Sequence, residues 1–218
     1  PINTKVTIGS GFPFNADEYV DQGKYKIITI KNVQDGYLTT DSIDYTSQLP
    51  NNISDFCILQ KGDILMSLTG NVGRMCMVDQ DNLLLNQRVG KLLGDRNFVI
   101  YTYYFFKRPE NINRLENIAG GSSQANLSPI QAVQNKYPIP PNQVLTEFVK
   151  LITSIINQIL NKKYENQQLS SLRDWLLPML MNGQVASRAS ATGESRASAT
   201  GESRASATAK SRASATGE

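Results

Sequence analysis

The side chains of this sequence that can do chemistry lie in three short polar segments, of which the first spans residues 67–74 (SLTGNVGR). Its two glycines leave room for the backbone to approach a phosphate closely. Thr69 and Asn71 can hydrogen-bond to a phosphate or a base edge, and Arg74 can bind guanine through two hydrogen bonds. These residue types suit nucleic-acid binding, although such a turn more often only connects two strands.

The second polar segment contains Asn86, Gln87 and Arg88, with Lys91 shortly after it. Carboxamide side chains can read adenine, a guanidinium can read guanine, and a lysine can bind phosphates. The segment therefore predicts base recognition followed by a backbone contact. A row of polar residues of this kind is, however, more often an ordinary surface patch.

The third polar segment, residues 120–126 (GGSSQAN), is small, glycine-rich and hydrophilic. Ser122, Ser123 and Gln124 could follow a phosphate backbone or enter a groove of DNA. None of the three segments is diagnostic by itself. Together they offer hydroxyl, amide and guanidinium groups, which are the groups used to read duplex DNA.

Motifs for catalysis are missing from the sequence. There is no histidine, so histidine-based acid–base catalysis and histidine metal ligands are excluded. No phosphate-binding GxxxxGK[ST] loop and no dinucleotide-binding GxGxxG occurs. The two cysteines, Cys57 and Cys76, lack the spacing of a zinc site and are expected as reduced core residues. We predict no catalytic residue, no metal and no cofactor.

The net charge sets a limit on how DNA could be bound. The chain carries 22 basic and 19 acidic residues, of which the tail from Ser187 holds five and three. The rest of the chain is therefore close to neutral, with a net charge of +1. Any contact with DNA must come from a local group of residues and not from a general positive field.

Elements of two kinds must position these segments within residues 1–139, which we expect to form an α+β domain. Short β-like stretches alternate with turn signals, at Tyr25–Ile30, Gly36–Leu38, Asp63–Ser67, Arg74–Val78 and Arg88–Leu93. Residues 98–106 are aromatic and have strand propensity, but their length and the following residues 110–118 favour two helices packed on the sheet.

Residues 140–186 are predicted to form a long helix, since no glycine or proline occurs from Gln143 to Leu177. Its apolar positions at first alternate three and four residues apart, as in a coiled coil. A stripe this long should not stay exposed, so we expect it to pair with another chain. The alternative is packing against its own domain. The predicted pairing positions are Leu145, Phe148, Ile152, Ile155, Ile159, Leu169 and Leu176.

Residues 187–218 consist of an octapeptide, SRASATGE, that occurs three times with one SRASATAK variant. It contains no large apolar residue and cannot build a core, so we expect a flexible tail. The chain shows no secretion signal and no apolar run long enough for a membrane span. With reduced cysteines, these features predict a cytoplasmic location.

The order of four segments resembles a target-recognition domain followed by its spacer helix, as found in specificity subunits of type I restriction–modification systems. The segments are GSGFPF (9–14), GDILMSLTGNVGR (62–74), LNQRVGKL (85–92) and SSQANLSPIQAVQNKYPIPP (122–141), followed by LRDWLLPMLMNGQV (172–185). The resemblance covers residues 7–185. No single segment is specific, whereas the combination is.

The resemblance implies double-stranded DNA and methyltransferase subunits as partners, with a restriction subunit joining indirectly. S-adenosylmethionine, ATP and Mg²⁺ would be bound and used by those other subunits and not by this chain. Members of the family carry two recognition domains and two spacers, whereas this chain has one of each. We therefore expect a half-subunit, either a truncated one or one that pairs as a homodimer or with a second half-subunit.

A different class of function stays open, namely a protein-interaction adaptor that oligomerises through its helix and does not bind DNA. The positions of the first two polar segments distinguish the two hypotheses. If residues 67–74 and 86–88 line one concave, positive face, DNA recognition is favoured.

Overall fold

The computed structural model describes residues 4–40, 42–120, 125–134 and 137–183. The chain divides into two compact units, residues 1–157 and 158–218. The beginning of the long helix therefore belongs to the same unit as the domain before it. The octapeptide tail lies outside the described residues, and its predicted flexibility stays a prediction.

Within the described residues, eight strands form two four-stranded sheets. The strands are β1 (Val6–Ser10), β2 (Tyr25–Ile28), β3 (Asp44–Thr46), β4 (Ile58–Leu59), β5 (Ile64–Ser67), β6 (Met75–Met77), β7 (Leu83–Leu85) and β8 (Val89–Gly94). The first sheet has the order β1-β8-β5-β6 and is antiparallel throughout. The second has the order β3-β2-β7-β4, and only its β2–β7 pair is parallel.

The two sheets share a core, since buried side chains of both pack together. Strands β5, β6 and β7 read ILMS, MCM and LLL and are buried along their whole length, without the alternation of a half-exposed strand. Leu65 and Val89 of the first sheet pack with Leu85 of the second in one core cluster, which also contains both cysteines. Cys57 and Cys76 are buried and are not joined by a disulfide, as the sequence indicated.

Four helices complete the described part of the fold: α1 (Arg96–Phe106), α2 (Pro109–Ala119), α3 (Pro129–Gln134) and α4 (Asn142–Met181). The α+β class is confirmed, as are the two helices expected near residues 98–106 and 110–118. At the start of α1, the Asp95 carboxylate accepts hydrogen bonds from the amides of Asn97 and Phe98. This cap favours the helix over the strand that the aromatic residues would otherwise prefer.

Four strands were missed and one predicted strand is absent. Residues 36–38 form no strand, and only an isolated bridge joins Val33 to Leu38. The missed strands are β1, β3, β4 and β7. Two of them, β3 and β4, have only three and two residues, too few for a period-two pattern. β7 is a plain apolar run that fits a buried strand or part of a helix equally well.

Helix α4 lies within the predicted range 140–186 and extends beyond the stretch from Gln143 to Leu177 that lacks glycine and proline. At its start the Leu145 amide donates to the Pro141 carbonyl, so Asn142 lies within the first turn. At the other end the helix passes through Pro178 for one more turn, where the Asn182 amide donates to the Pro178 carbonyl. Gly183, with φ of +67°, follows the helix end. No helix in the described ranges combines the length and apolarity that a bilayer span requires.

The first turns of α4 pack against their own domain. Leu145, Val149 and Ile156 are buried, and the Phe148 ring meets the Tyr104 ring edge-on at 6.0 Å between centroids. This corrects the prediction that Leu145 and Phe148 pair with another chain, because α1 supplies an aromatic surface that the helical pattern alone could not reveal.

The other predicted pairing positions are more open. Ile155 and Ile159 are exposed by 45% and 51%, and Leu169 is exposed as well. Ile152 and Leu176 are half-buried. From residue 157 to Gly183, none of the described side chains is buried. The exposed part of the predicted stripe therefore begins near Ile155.

Candidate nucleic-acid interface

Three backbone segments meet beside the first sheet and hold one another in place. They are the β5–β6 loop (67–74), the β7–β8 turn (86–88) and residues 125–129, which lead into α3. The Leu68 amide donates to the Arg88 carbonyl at 3.1 Å, and the Leu127 amide donates to the Leu68 carbonyl at 2.7 Å. Segments far apart in sequence thus become neighbours through backbone hydrogen bonds.

The end of β1 completes this arrangement. The Gln87 amide donates to the Phe12 carbonyl at 2.9 Å, and the Gly11 amide donates to the Val89 carbonyl at 3.1 Å. A Cβ atom at Gly11 would collide with the carbonyl oxygen of Leu85. The glycine therefore allows the chain after β1 to cross directly over the β7–β8 turn.

These segments enclose an open cavity of about 600 Å³, which we call the recognition cavity. Gln87, Arg88 and Asn126 are exposed at it, whereas Leu127 belongs to the core beneath. Among the described residues that line it there is no carboxylate, and Arg88 carries a positive charge. The lining consists of Ser10, Leu68, Thr69, Gln87, Arg88, Asn126, Leu127, Ser128 and Pro129.

The polar side chains of the recognition cavity are available for a ligand. Within the described part of the chain, Gln87 and Arg88 have no side-chain hydrogen bond or ion pair, although their backbones are bonded. The Thr69 hydroxyl oxygen is buried and has no hydrogen-bond partner among the described residues. An unsatisfied buried hydroxyl costs roughly 1–3 kcal/mol, so a ligand that hydrogen-bonds to it would recover free energy.

Asn71 and Arg74 lie away from the recognition cavity. They line a separate depression of about 240 Å³, to which Asp35, Lys107 and Glu116 also contribute. Arg74 Nη1 donates to Gln34 Oε1 at 2.9 Å. Gly70 and Gly73, with φ of +73° and +80°, turn the loop between Thr69 and Arg74. The structure therefore separates residues that the sequence had grouped in one segment.

Asn86 is buried and serves the turn in which it lies. Its Oδ1 accepts from the Arg88 amide at 3.3 Å, and its own amide donates to the Ile28 carbonyl at 3.1 Å. Only Gln87 and Arg88 of the Asn-Gln-Arg segment are exposed at the cavity. The structure places Asn86 outside the cavity lining, with its Oδ1 bonded within the turn, and its predicted base contact stays a prediction.

Lys91 is engaged in the fold as well. Its Nζ lies 2.6 Å from Asp63 Oδ2, and the two side chains are only 12% and 18% exposed. Asp63 also accepts the Gln60 amide at 2.7 Å. Burial raises the pKa of the nearby Cys57 thiol, and the positive charge of Lys91 opposes this rise. The ion pair and the burial of its ammonium disfavour the predicted phosphate contact of Lys91, which stays a prediction.

The remaining predicted site residues, Ser122, Ser123 and Gln124, lie outside the described residues. Ser10 and Ser128 line the cavity although sequence reasoning did not name them, and Asn126 was included only as the last residue of the third polar segment. A weak signal for Asn126 is its place beside Leu127, since alternation of polar and apolar residues marks one outward and one inward side chain.

The chemistry that this lining offers is hydrogen bonding. It combines hydroxyls, two carboxamides and a guanidinium, which are donors and acceptors suited to base edges and phosphates. Elsewhere, no group of three or more potential metal ligands occurs in the portion of the chain that the structure describes.

Known proteins are similar to this chain in sequence. The chain is 25% identical over 160 residues to the specificity subunit of the HindI type I restriction enzyme from Haemophilus influenzae, which covers 72% of this chain and 35% of that protein. It is 24% identical over 193 residues to the MjaVIII specificity subunit from Methanocaldococcus jannaschii, covering 83% and 44%.

A solved structure supports the same fold. The S subunit of a type I restriction–modification system from M. genitalium superposes with a TM-score of 0.58 at 16% identity, over 82% of this chain and 44% of that one. The chain thus spans less than half the length of each of these relatives. The family model of the type I restriction modification DNA specificity domain matches residues 6–171. Because this match covers most of the sequence, the chain belongs to the family of type I restriction modification DNA specificity domains.

Proposed function

We propose that this chain binds double-stranded DNA and reads one half of a bipartite target site for a type I restriction–modification complex. The observation that carries the proposal is the recognition cavity. It brings Thr69, Gln87 and Arg88 together from two separate loops, with side chains that the fold leaves without partners. Their backbones are fixed by hydrogen bonds, so little conformational freedom would be lost on binding.

The charge of the chain indicates that DNA binding depends on assembly. Of the lining residues that the structure describes, Arg88 alone is basic, and the chain without its tail is nearly neutral. Few phosphate contacts give weak binding, because each one contributes to affinity through release of counterions. We infer that methyltransferase subunits supply further phosphate contacts. In that complex, methylation with S-adenosylmethionine and the ATP- and Mg²⁺-dependent steps would belong to partner subunits, and the restriction subunit would join indirectly.

The exposed stripe of α4 supports pairing with a second helix. Ile155, Ile159 and Leu169 are exposed, as is Trp175. A second helix, from a second copy of this chain or from another recognition domain, would cover this stripe. A two-fold dimer would read two identical half-sites in opposite orientations.

The adaptor alternative keeps one supporting observation. Asn71 and Arg74 line a different depression from Thr69 and Arg88, so the two polar loops do not form one continuous positive face. DNA recognition is favoured nevertheless, because the family match and the partner-free groups of the recognition cavity both indicate it.

Selection from a pool of random DNA duplexes, with the full chain and a type I methyltransferase subunit, tests the proposal. We expect the wild-type protein to enrich one half-site motif. Arg88→Ala should lose the preference at one guanine by about 1–3 kcal/mol. Arg114→Ala removes the same charge from an exposed position on α2 outside the cavity and should leave the motif unchanged. Absence of any enriched motif, with both proteins folded, would contradict the proposal.

A further inference from the structure

Backbone hydrogen bonds on both sides hold Asn126, one of the cavity residues, in its position. Its amide donates to the Ala119 carbonyl at 3.3 Å, and its backbone forms an antiparallel bridge with Thr69. On one side of it the Gly70 amide donates to the Ala125 carbonyl, and on the other the Leu127 amide donates to Leu68. The segment therefore behaves as a short strand attached to the β5–β6 loop.

This attachment determines where the Asn126 side chain lies. Successive residues of an extended segment alternate in direction, and Leu127 is buried with 1% exposure. Asn126 is exposed and lines the recognition cavity. Within the described ranges, no hydrogen bond of its carboxamide is recorded. A fixed backbone thus presents an unpaired amide to whatever occupies the cavity.

The lining of the cavity limits which base edges it can read. Its planar polar groups are the carboxamides of Gln87 and Asn126 and the guanidinium of Arg88. A carboxamide both donates and accepts, which matches the N6 and N7 atoms of adenine in the major groove. A guanidinium matches O6 and N7 of guanine. The described part of the lining holds no carboxylate, which is the acceptor group that reads the amino group of cytosine.

We propose that Asn126 is a specificity-determining residue that reads an adenine in the major groove, beside purines read by Gln87 and Arg88. The inference rests on the proposed function, since it concerns how the same cavity selects its DNA. It names the ligand chemistry more closely: a half-site with purines on the strand facing the cavity, at least one of them an adenine paired with Asn126.

Asn126→Asp provides a sharp test because the change keeps the shape and replaces the amide donor by a second acceptor. An adenine N6 can still donate to this side chain, but its N7 finds no donor, whereas the cytosine N4 amino group meets an acceptor. Selection from the random duplex pool should therefore move one position of the motif from adenine to cytosine. Asn126→Ala should lose preference at that same position, on the order of ten- to a hundredfold.

Asn113→Asp is the matched control, since Asn113 is exposed on α2 and does not line the cavity. It should leave the motif unchanged. If the wild type enriches a motif and both Asn126 variants keep it, or weaken all duplexes alike, the inference is overturned while the proposed function stands. If the wild type enriches no motif, both fail. Circular dichroism melting of each variant establishes that loss of preference is not loss of folding.

Discussion

Two roles have been given for Lys91, a phosphate contact from the sequence and an ion pair with Asp63 from the structure. Replacing the residues of this pair distinguishes between them. Replacing Lys91 by Met preserves the aliphatic stem and removes the ammonium. The Asp63 carboxylate, 18% exposed, then loses its partner at 2.6 Å and keeps only the Gln60 amide. We expect a loss of stability together with unchanged dependence of DNA affinity on salt.

The size of the loss follows from the burial of the pair. Breaking a fully buried ion pair costs about 3–5 kcal/mol, whereas an exposed pair contributes about 0–1 kcal/mol. Lys91 and Asp63 are largely but not completely buried, so we expect about 2–3 kcal/mol for Lys91→Met. Asp63→Asn should cost somewhat less, because the amide oxygen can still accept from Gln60. The double variant should lose less than the sum, with a coupling of about 1.5–2.5 kcal/mol.

Urea denaturation followed by circular dichroism measures these free energies of unfolding. An unchanged dependence of the free energy on urea concentration shows that wild type and variants expose the same surface on unfolding. The matched control is the pair Lys61–Asp81, whose side chains are 53% and 67% exposed at a separation of 3.4 Å. Its coupling should not exceed about 0.5 kcal/mol. Two results together would refute the structural role of Lys91. They are an equally small coupling between Lys91 and Asp63 and a weaker dependence of DNA affinity on salt for Lys91→Met, and they would support the hypothesis that Lys91 contacts a phosphate.

Two further predictions concern the helix and the aromatic core. Ile156→Ala should lower the free energy of unfolding by about 2–4 kcal/mol, whereas Ile155→Ala should change it little and instead weaken self-association in sedimentation equilibrium, because Ile156 is buried and Ile155 exposed. Equal effects of both variants on stability would contradict this assignment of faces. Burial raises the pKa of Tyr103 above its ordinary value of 10.0, so the folded state holds the phenolic proton more tightly than the unfolded state. Its contribution to stability should be complete below about pH 10 and decline above it, and Tyr103→Phe should flatten this decline in urea denaturation at rising pH. A Tyr103→Phe protein with the wild-type decline would show that other groups cause it.

Part of the fold could be predicted because it depends on local signals. Aspartate and proline mark the starts of α1 and α2, and the absence of glycine and proline over many residues marks α4. The segments 63–67 and 74–78, which contain β5 and β6, are rich in apolar residues and are preceded by turn signals, so they could be recognised. Strands such as β4, with two residues, exist only because a neighbouring strand pairs with them, so no local pattern could reveal them.

The sequence predicted which residue types the candidate site contains, but not which of those residues lie together. Thr69, Gln87 and Arg88 were identified, and they share one cavity. Asn86 and Lys91 have the right side chains for DNA, but their hydrogen bonds and ion pair are satisfied inside the fold. Residue type shows what a side chain can bind, whereas a partner distant in sequence decides whether it is free to do so.

The sequence by itself determined the class of the fold, the long helix, the lack of histidine chemistry and the polar segments whose order resembles a DNA specificity domain, because each of these depends on composition or on neighbours along the chain. Only the tertiary structure decided that Asn126 joins Gln87 and Arg88, that Arg74 lies elsewhere, and that the first turns of α4 face their own domain. Those outcomes depend on backbone hydrogen bonds and packing between segments tens of residues apart, and such contacts leave no pattern in the local sequence.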